Sequence, residues 1–344
     1  MRTSIIAAAL VLLTTIGAVF TPVLHATPTT GFLSTRGTSI VDSAGQAIVL
    51  RGVNYPGYER DHPELHSQIA YGTFAGNGFD VVRLPLSWAN LEPQPDAFNS
   101  AYLSYADQDV QWAKSAGIYV ILDMHQTNWA GRFGGEGAPD WMVRNYAANE
   151  SGMQQAVSDF WSNTTQQDLL VQVWVKIAQH FANEPTIAGY DLFNEPWIFT
   201  SVISDLNATH ALEAFYIRTI QAIRAVDTNH IIFIEPGNVQ MFKLPISNIV
   251  WTPHFYPLSF ASKFNLDNYT FLENDFMAKY QTFVIDYGTP MWIGEFGAFM
   301  PDNASRAIWI EVALDFFNRY NIGWGWWAYD GQYTSIPDQL YVPS

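Results

Sequence analysis

From about residue 45 onward, short runs of β-branched and apolar residues alternate with longer stretches whose apolar positions recur at helical spacing. A short apolar run bounded by turn formers suits a strand covered on both faces, and an apolar stripe recurring every three or four residues suits a helix laid on a sheet. The runs 48–54, 80–85, 118–124, 187–193, 231–235, 249–255, 291–294 and 323–328 predict eight strands. Between them, Leu170, Val173, Trp174, Ile177 and Phe181 make one helical stripe, and Leu212, Phe215, Tyr216, Ile220 and Ile223 another. Eight such units predict an α/β fold closed as a single (β/α)8 TIM barrel.

Two segments depart from this rhythm. Residues 31–47, with the turn formers Asp42-Ser43-Ala44-Gly45, predict a short N-terminal hairpin placed to plug the lower mouth of the barrel. The connection 126–165 after the third barrel strand is long and rich in glycine and aromatics (Trp129, Phe133, Trp141, Trp161), which predicts a loop that covers substrate. The catalytic domain is expected to span 31–344. Ahead of it, Met1 and Arg2, the apolar run 5–20 and Leu24-His25-Ala26 pattern as a signal peptide over 1–26, so the protein is expected to be secreted. Left uncleaved, the same run would anchor it in a membrane, facing outside.

Composition narrows the function. A formal charge of −16, with 16 Lys and Arg among 344 residues and no basic run, excludes a nucleic-acid partner. The absence of cysteine removes disulfides, thiolate chemistry and Cys-based metal sites. Thirteen Trp, 17 Tyr and 23 Phe exceed what packing usually demands and offer faces on which sugar rings stack. A monomer acting on a carbohydrate or glycolipid, with no stable membrane insertion once the leader is removed, is the expected state.

In (β/α)8 enzymes the chemistry sits where strands end and the following loops begin. Here those positions carry Arg83, Asp123-Met124-His125, Asn194-Glu195-Pro196, Glu235, His254-Phe255-Tyr256, Glu295-Phe296-Gly297 and Trp327. Retaining glycoside hydrolysis needs one protonated carboxyl to help the leaving oxygen depart and one ionised carboxylate to attack the anomeric carbon. Glu195 and Glu295, ending the predicted fourth and seventh strands, face each other across the mouth as acid/base and nucleophile. Arg83 and Tyr256 are placed to hold Glu295 ionised and oriented, His254 to tune Glu195, Asn194 to bond a sugar 2-hydroxyl and Trp327 to floor a sugar subsite. No cofactor and no metal is needed.

These residues resemble the cellulase-like glycoside hydrolases of family 5. Arg51-Gly52-Val53-Asn54, Val82-Arg83-Leu84-Pro85, Asp123-Met124-His125, Phe193-Asn194-Glu195-Pro196, His254-Phe255-Tyr256, Gly294-Glu295-Phe296-Gly297 and Trp327 stand in the family's order and approximate spacing. The resemblance implies active-site roles for Arg83, His125, Asn194, Glu195, His254, Tyr256, Glu295 and Trp327. Leu122-Asp123-Met124-His125-Gln126, Phe133-Gly134-Gly135 and Gly137-Ala138-Pro139-Asp140-Trp141 look like the endoglycoceramidase branch, whose members release an intact oligosaccharide from ceramide. A β-1,4-glucan (cellulase), mannan or other oligosaccharide is the alternative substrate.

Plainer readings stand beside these. Asp123 reads equally as a structural partner or a sugar ligand, and Trp129, Phe133 and Trp141 either staple the long loop or touch substrate. Glu235, beside Pro236-Gly237, is expected to cap a helix or form a salt bridge, outside the catalytic set. A metal-dependent hydrolase would draw on Asp123, His125, His254 and Glu295, but the paired glutamates make the metal unnecessary. A non-catalytic carbohydrate-binding barrel would have lost one of them.

Overall fold

The computed structural model describes residues 31–198 and 204–329, together with Pro337 and Leu340. The leader-like run 1–26 lies outside the described residues. Eight parallel strands, β4 (Arg51–Asn54), β5 (Val81–Ser87), β6 (Tyr119–His125), β7 (Ile187–Asp191), β8 (Ile231–Ile234), β9 (Ile249–Trp251), β10 (Trp292–Phe296) and β11 (Gly323–Trp326), follow the order β10-β11-β4-β5-β6-β7-β8-β9. The outer pair, β9 and β10, meets through isolated bridges at Trp251 with Met291 and Phe255 with Phe296, so the sheet curls into a nearly closed barrel. The predicted (β/α)8 class is the observed one. Among the described residues, no helix is long and apolar enough to cross a membrane.

Around the strands lie α1 (Gln68–Gly76), α2 (Trp88–Leu91), α3 (Ser100–Ala116), α4 (Asp140–Val143), α5 (Glu150–Ser162), α6 (Thr164–Phe181), α7 (Asp205–Arg224), α8 (Tyr269–Tyr280) and α9 (Asn303–Arg319). Their starts are written locally. Ser67, Asn99, Asn149, Asn163 and Asp302 each accept a hydrogen bond from a free backbone N–H of the first turn. Asn163 both ends α5 and caps α6, which turns the chain sharply between two helices.

Strand alternation sorts the interior. Along β6, Val120, Leu122 and Met124 pack outward with the helices, while Tyr119 and Ile121 fill the barrel and Asp123 and His125 continue the same inward row toward the top. In β8, Ile231 and Phe233 fill the interior and Glu235 follows them in that row. The lower half is thus apolar and the upper half charged. The segment expected as a hairpin forms a three-stranded antiparallel sheet, β1 (Ser34–Arg36), β2 (Ser39–Val41) and β3 (Ala47–Ile48), whose Leu33, Ile40 and Ile48 pack with that lower apolar layer.

Three expectations need correction. The first barrel strand begins at Arg51 rather than residue 48, because Ile48 pairs with Ile40 in the small sheet. The run 249–255 is strand only to Trp251, since Pro253 has no N–H to extend the ladder. The connection 126–165 is not one irregular loop. It holds a bridge between Thr127 and Glu136 and then α4 and α5, and the apolar spacing of Met153, Val157, Phe160 and Trp161 is the helical signal for the second of these.

Candidate active site

Arg83 sits in the middle of β5, not at its end, and is fully buried. Its Nε donates to Asp191 (2.9 Å), Nη1 to Glu295 (2.9 Å) and Asn54 (3.0 Å), and Nη2 to Asn194 (3.0 Å) and Glu235 (3.1 Å), with Asp123 3.0 Å away as an ion pair. Burial alone would lower the guanidinium's proton affinity, but Asp123, Asp191, Glu295 and Glu235 raise it well above its ordinary value. One cation among four buried carboxylates leaves negative charge in excess. Burial accordingly pushes Asp123 up to about 7 against the pull of Arg83, and raises Glu235 against the pull of His254.

Both oxygens of Glu295 are held, Oε1 by Arg83 and Oε2 by the Tyr256 hydroxyl at 2.8 Å. Glu195 lies in the turn after β7, with φ of 42°, a left-handed conformation rare for glutamate. Its backbone is clamped. The Glu195 N–H donates to Glu235 Oε2 (2.7 Å), and Gln126 Nε2 donates to the carbonyls of Asn194 (3.0 Å) and Glu195 (2.9 Å). The Glu195 side chain is half exposed and hydrogen-bonds His254 Nδ1 at 2.9 Å. Burial pushes its carboxyl up, yet the hydrogen bond and charge of His254 outweigh this and hold it at about 2.

Donor atoms of Glu195, His254 and Glu295 lie within 4.8 Å of one another. Asp123 and His125 are engaged elsewhere: His125 Nδ1 bonds Asp123 Oδ2 at 2.7 Å, and Asp123 pairs with Arg83. The four residues of the metal alternative therefore do not form one ligand set. Asp123 is fully buried and bonded to His125 and Arg83, which favours the structural one of its two readings. Burial lowers the His125 imidazole, so a neutral ring donating through Nδ1 presents Nε2 as an acceptor. Trp327 stacks on that ring at 5.3 Å and 8°. Asn194 is buried, its Oδ1 taken by Arg83 and its amide donating to the Gln126 carbonyl, which leaves one amide hydrogen for a ligand.

Beside Glu195 opens a cavity of about 320 Å³, walled by Trp129, Met153, Val157, Trp161, Phe193 and Trp197. Trp129, in a left-handed conformation (φ 69°), stacks against Phe193, and its backbone N–H donates to Gln126 Oε1 at 3.0 Å. Phe133 and Trp141 do not line this cavity. Trp141 donates to the Glu92 carbonyl at 2.9 Å and meets Trp88 edge-on, and Phe133 packs on the core, so both fasten the 126–165 segment instead. Sequence reading assigned Asp191 and Asn54 no role at the site and marked Gln126 only as a polar residue at the end of the third strand; the signal for the first two was likewise a polar residue at a strand end.

A barrel whose strand ends gather paired glutamates, a buried arginine and stacked aromatics is the architecture of a glycosyl hydrolase. The family model of cellulase, glycosyl hydrolase family 5, matches residues 41–332, and the chain belongs to that family. It is similar to endoglycoceramidase I of Rhodococcus hoagii (strain 103S), 28% identical over 269 residues that make up 67% of this chain and 54% of that protein. It also resembles an endoglycoceramidase of Hydra vulgaris, 26% identical over 242 residues, 55% of this chain and 47% of that one. The chain thus spans about half the length of these curated relatives. A crystal structure of an endogalactoceramidase superposes with a TM-score of 0.75 at 28% identity, covering 87% of this chain and 75% of that one.

Proposed function

We propose that the protein is a retaining β-glycoside hydrolase that cleaves a sugar from an apolar aglycone, as in a glycolipid. Glu295 is the nucleophile and Glu195 the acid/base. The observation that carries the substrate class is the apolar cavity beside Glu195. The acid protonates the leaving oxygen, so whatever adjoins it receives the leaving group, and aromatic and aliphatic walls favour a lipid-like group over a second sugar. The names of the endoglycoceramidase relatives support the same reading.

Glu295 attacks the anomeric carbon as the bond to the leaving oxygen breaks and Glu195 protonates that oxygen. Glu195 then takes a proton from water as the water displaces Glu295. A carboxylate oxygen of Glu195 lies within 4.8 Å of one of Glu295, a proximity that fits retention, in which the two carboxyl groups stand roughly 5–5.5 Å apart. Arg83 and Tyr256 aim Glu295, the face of Trp327 and the Nε2 of His125 meet the sugar, and no step calls for a cofactor.

The test is product analysis on a glucosylceramide-type glycolipid and on cello-oligosaccharides, with Glu195→Gln and Glu295→Gln as controls. Intact glycan released from lipid by the wild type alone is expected. Cleavage of cello-oligosaccharides without glycolipid would make the protein a β-glucanase. A Glu295→Gln protein with normal rates would remove the double-displacement reading.

A further inference from the structure

Resting on the reading of the cavity beside Glu195 as the leaving-group site, we infer that Asn238 is a positioning residue that sets the aglycone preference. Together with Glu235 it locks residues 195–198 at both ends, so that the acid/base and the Trp197 wall of the cavity are held as one unit. Glu195, Pro196, Trp197 and Ile198 alternate exposed, buried, exposed and buried. Glu195 and Trp197 therefore share the open side, where both line the cavity, while Ile198 packs in the core.

Behind this segment runs Glu235-Pro236-Gly237-Asn238, the continuation of β8. The pairing of β7 with β8 reaches Asp191 opposite Phe233, and the Leu192 N–H then donates to the Phe233 carbonyl at 3.2 Å. Beyond that point side chains take over from the backbone. Glu235 Oε2 accepts the Glu195 N–H at 2.7 Å. Asn238 Oδ1 accepts the Ile198 N–H at 2.8 Å, and its Nδ2 donates to the Ile198 carbonyl at 2.9 Å. One amide thus offers Ile198 an acceptor and a donor at once, as the backbone of a neighbouring strand would.

Between the two locks, Gly237 adopts a φ of 61°, and a Cβ on it would stand 2.5 Å from the Pro196 carbonyl oxygen. Bare backbone lies against Pro196 there, an approach that glycine permits. The run is itself anchored at its start, where Arg83 Nη2 donates to Glu235 Oε1 at 3.1 Å and the Tyr216 hydroxyl donates to the Glu235 carbonyl at 2.9 Å. The two locks differ in consequence. The one at Glu195 is buried and holds the carboxyl where the leaving oxygen arrives. The one at Ile198 comes from an exposed side chain and fixes how far Trp197 stands from that carboxyl. Releasing it leaves the acid in place and loosens the wall against which an alkyl chain lies.

The experiment measures kcat/KM on methyl, butyl, hexyl and octyl glycosides, and on a 2,4-dinitrophenyl glycoside, of the sugar that wild type hydrolyses. The proteins are wild type, Asn238→Ala, Trp197→Ala and the double variant. In wild type kcat/KM should climb with chain length, by up to about four-fold per methylene buried. Asn238→Ala is expected to lower the octyl-to-methyl ratio about ten-fold while the methyl and dinitrophenyl glycosides stay within about three-fold. Trp197→Ala should lower the ratio similarly, and the double variant no further, because both changes act through one wall. An unchanged ratio in Asn238→Ala, equal losses on every substrate, or losses that add in the double variant overturn the inference. Circular dichroism of Asn238→Ala is expected to match wild type, and a protein that fails to fold makes the contact structural and overturns it as well. A wild type indifferent to chain length instead overturns the leaving-group reading of the cavity, and the inference with it.

Discussion

Glu195 occupies a backbone conformation that costs on the order of 1–3 kcal/mol for a side chain of its kind, and Gln126 is one of the groups that enforces it. Its amide holds two successive carbonyls, and its oxygen accepts the Trp129 N–H, so a single side chain ties the turn bearing Glu195 to the cavity wall. Gln126→Ala is expected to lower kcat by about ten- to a hundred-fold with a smaller effect on melting, measured by steady-state kinetics and calorimetry. A second buried cluster answers to pH. Burial pushes Asp227 up, but its bonds to His230 and Tyr190 hold it at about 2, below its unfolded value. Its contribution is therefore present above about pH 4 and lost as pH falls toward 2. Asp227→Asn should remove about 2 kcal/mol at pH 7 and far less near pH 2.5, seen as a melting difference that narrows on acidification. Glu195, Glu295 and Arg83 were legible from their places near strand ends. The coupling of Glu235 to the Glu195 N–H was not, because it depends on a turn conformation that no residue type announces.

At the scale of elements, the strands were readable because their alternation is forced by an apolar interior below and helices outside. What escaped was competition between neighbours: Ile48 could serve either sheet, and Pro253 stopped β9 early. The 126–165 segment was misjudged because its glycines and aromatics concealed the helical spacing within α5. The tightest fit lies between β4 and β5, where a Cβ on Gly52 would stand 1.6 Å from the Val81 carbonyl oxygen. Relief would mean breaking the ladder on either side. Gly52→Ala is expected to destabilise by more than about 3 kcal/mol, a loss visible as a lower denaturant midpoint or failure to recover folded protein.

Across the whole molecule the barrel has two ends with separate tasks. The lower end is packed by Leu33, Ile40 and Ile48 of the N-terminal segment, far along the strands from the glutamates. Ile48→Ala should cost about 2–5 kcal/mol in stability while leaving KM unchanged, and a changed KM would mean that the two ends communicate. The joint between β9 and β10 has a different consequence. Two paired positions join it among the described residues, Trp251 with Met291 and Phe255 with Phe296, against seven between β5 and β6. His254 and Tyr256 stand on one lip of this seam and Glu295 on the other. Deuterium should enter these amides before those of β5 and β6, and gentle heating should part the lips while the remaining staves still hold. The protein would then fall silent some degrees before it melts, and recover its voice on cooling.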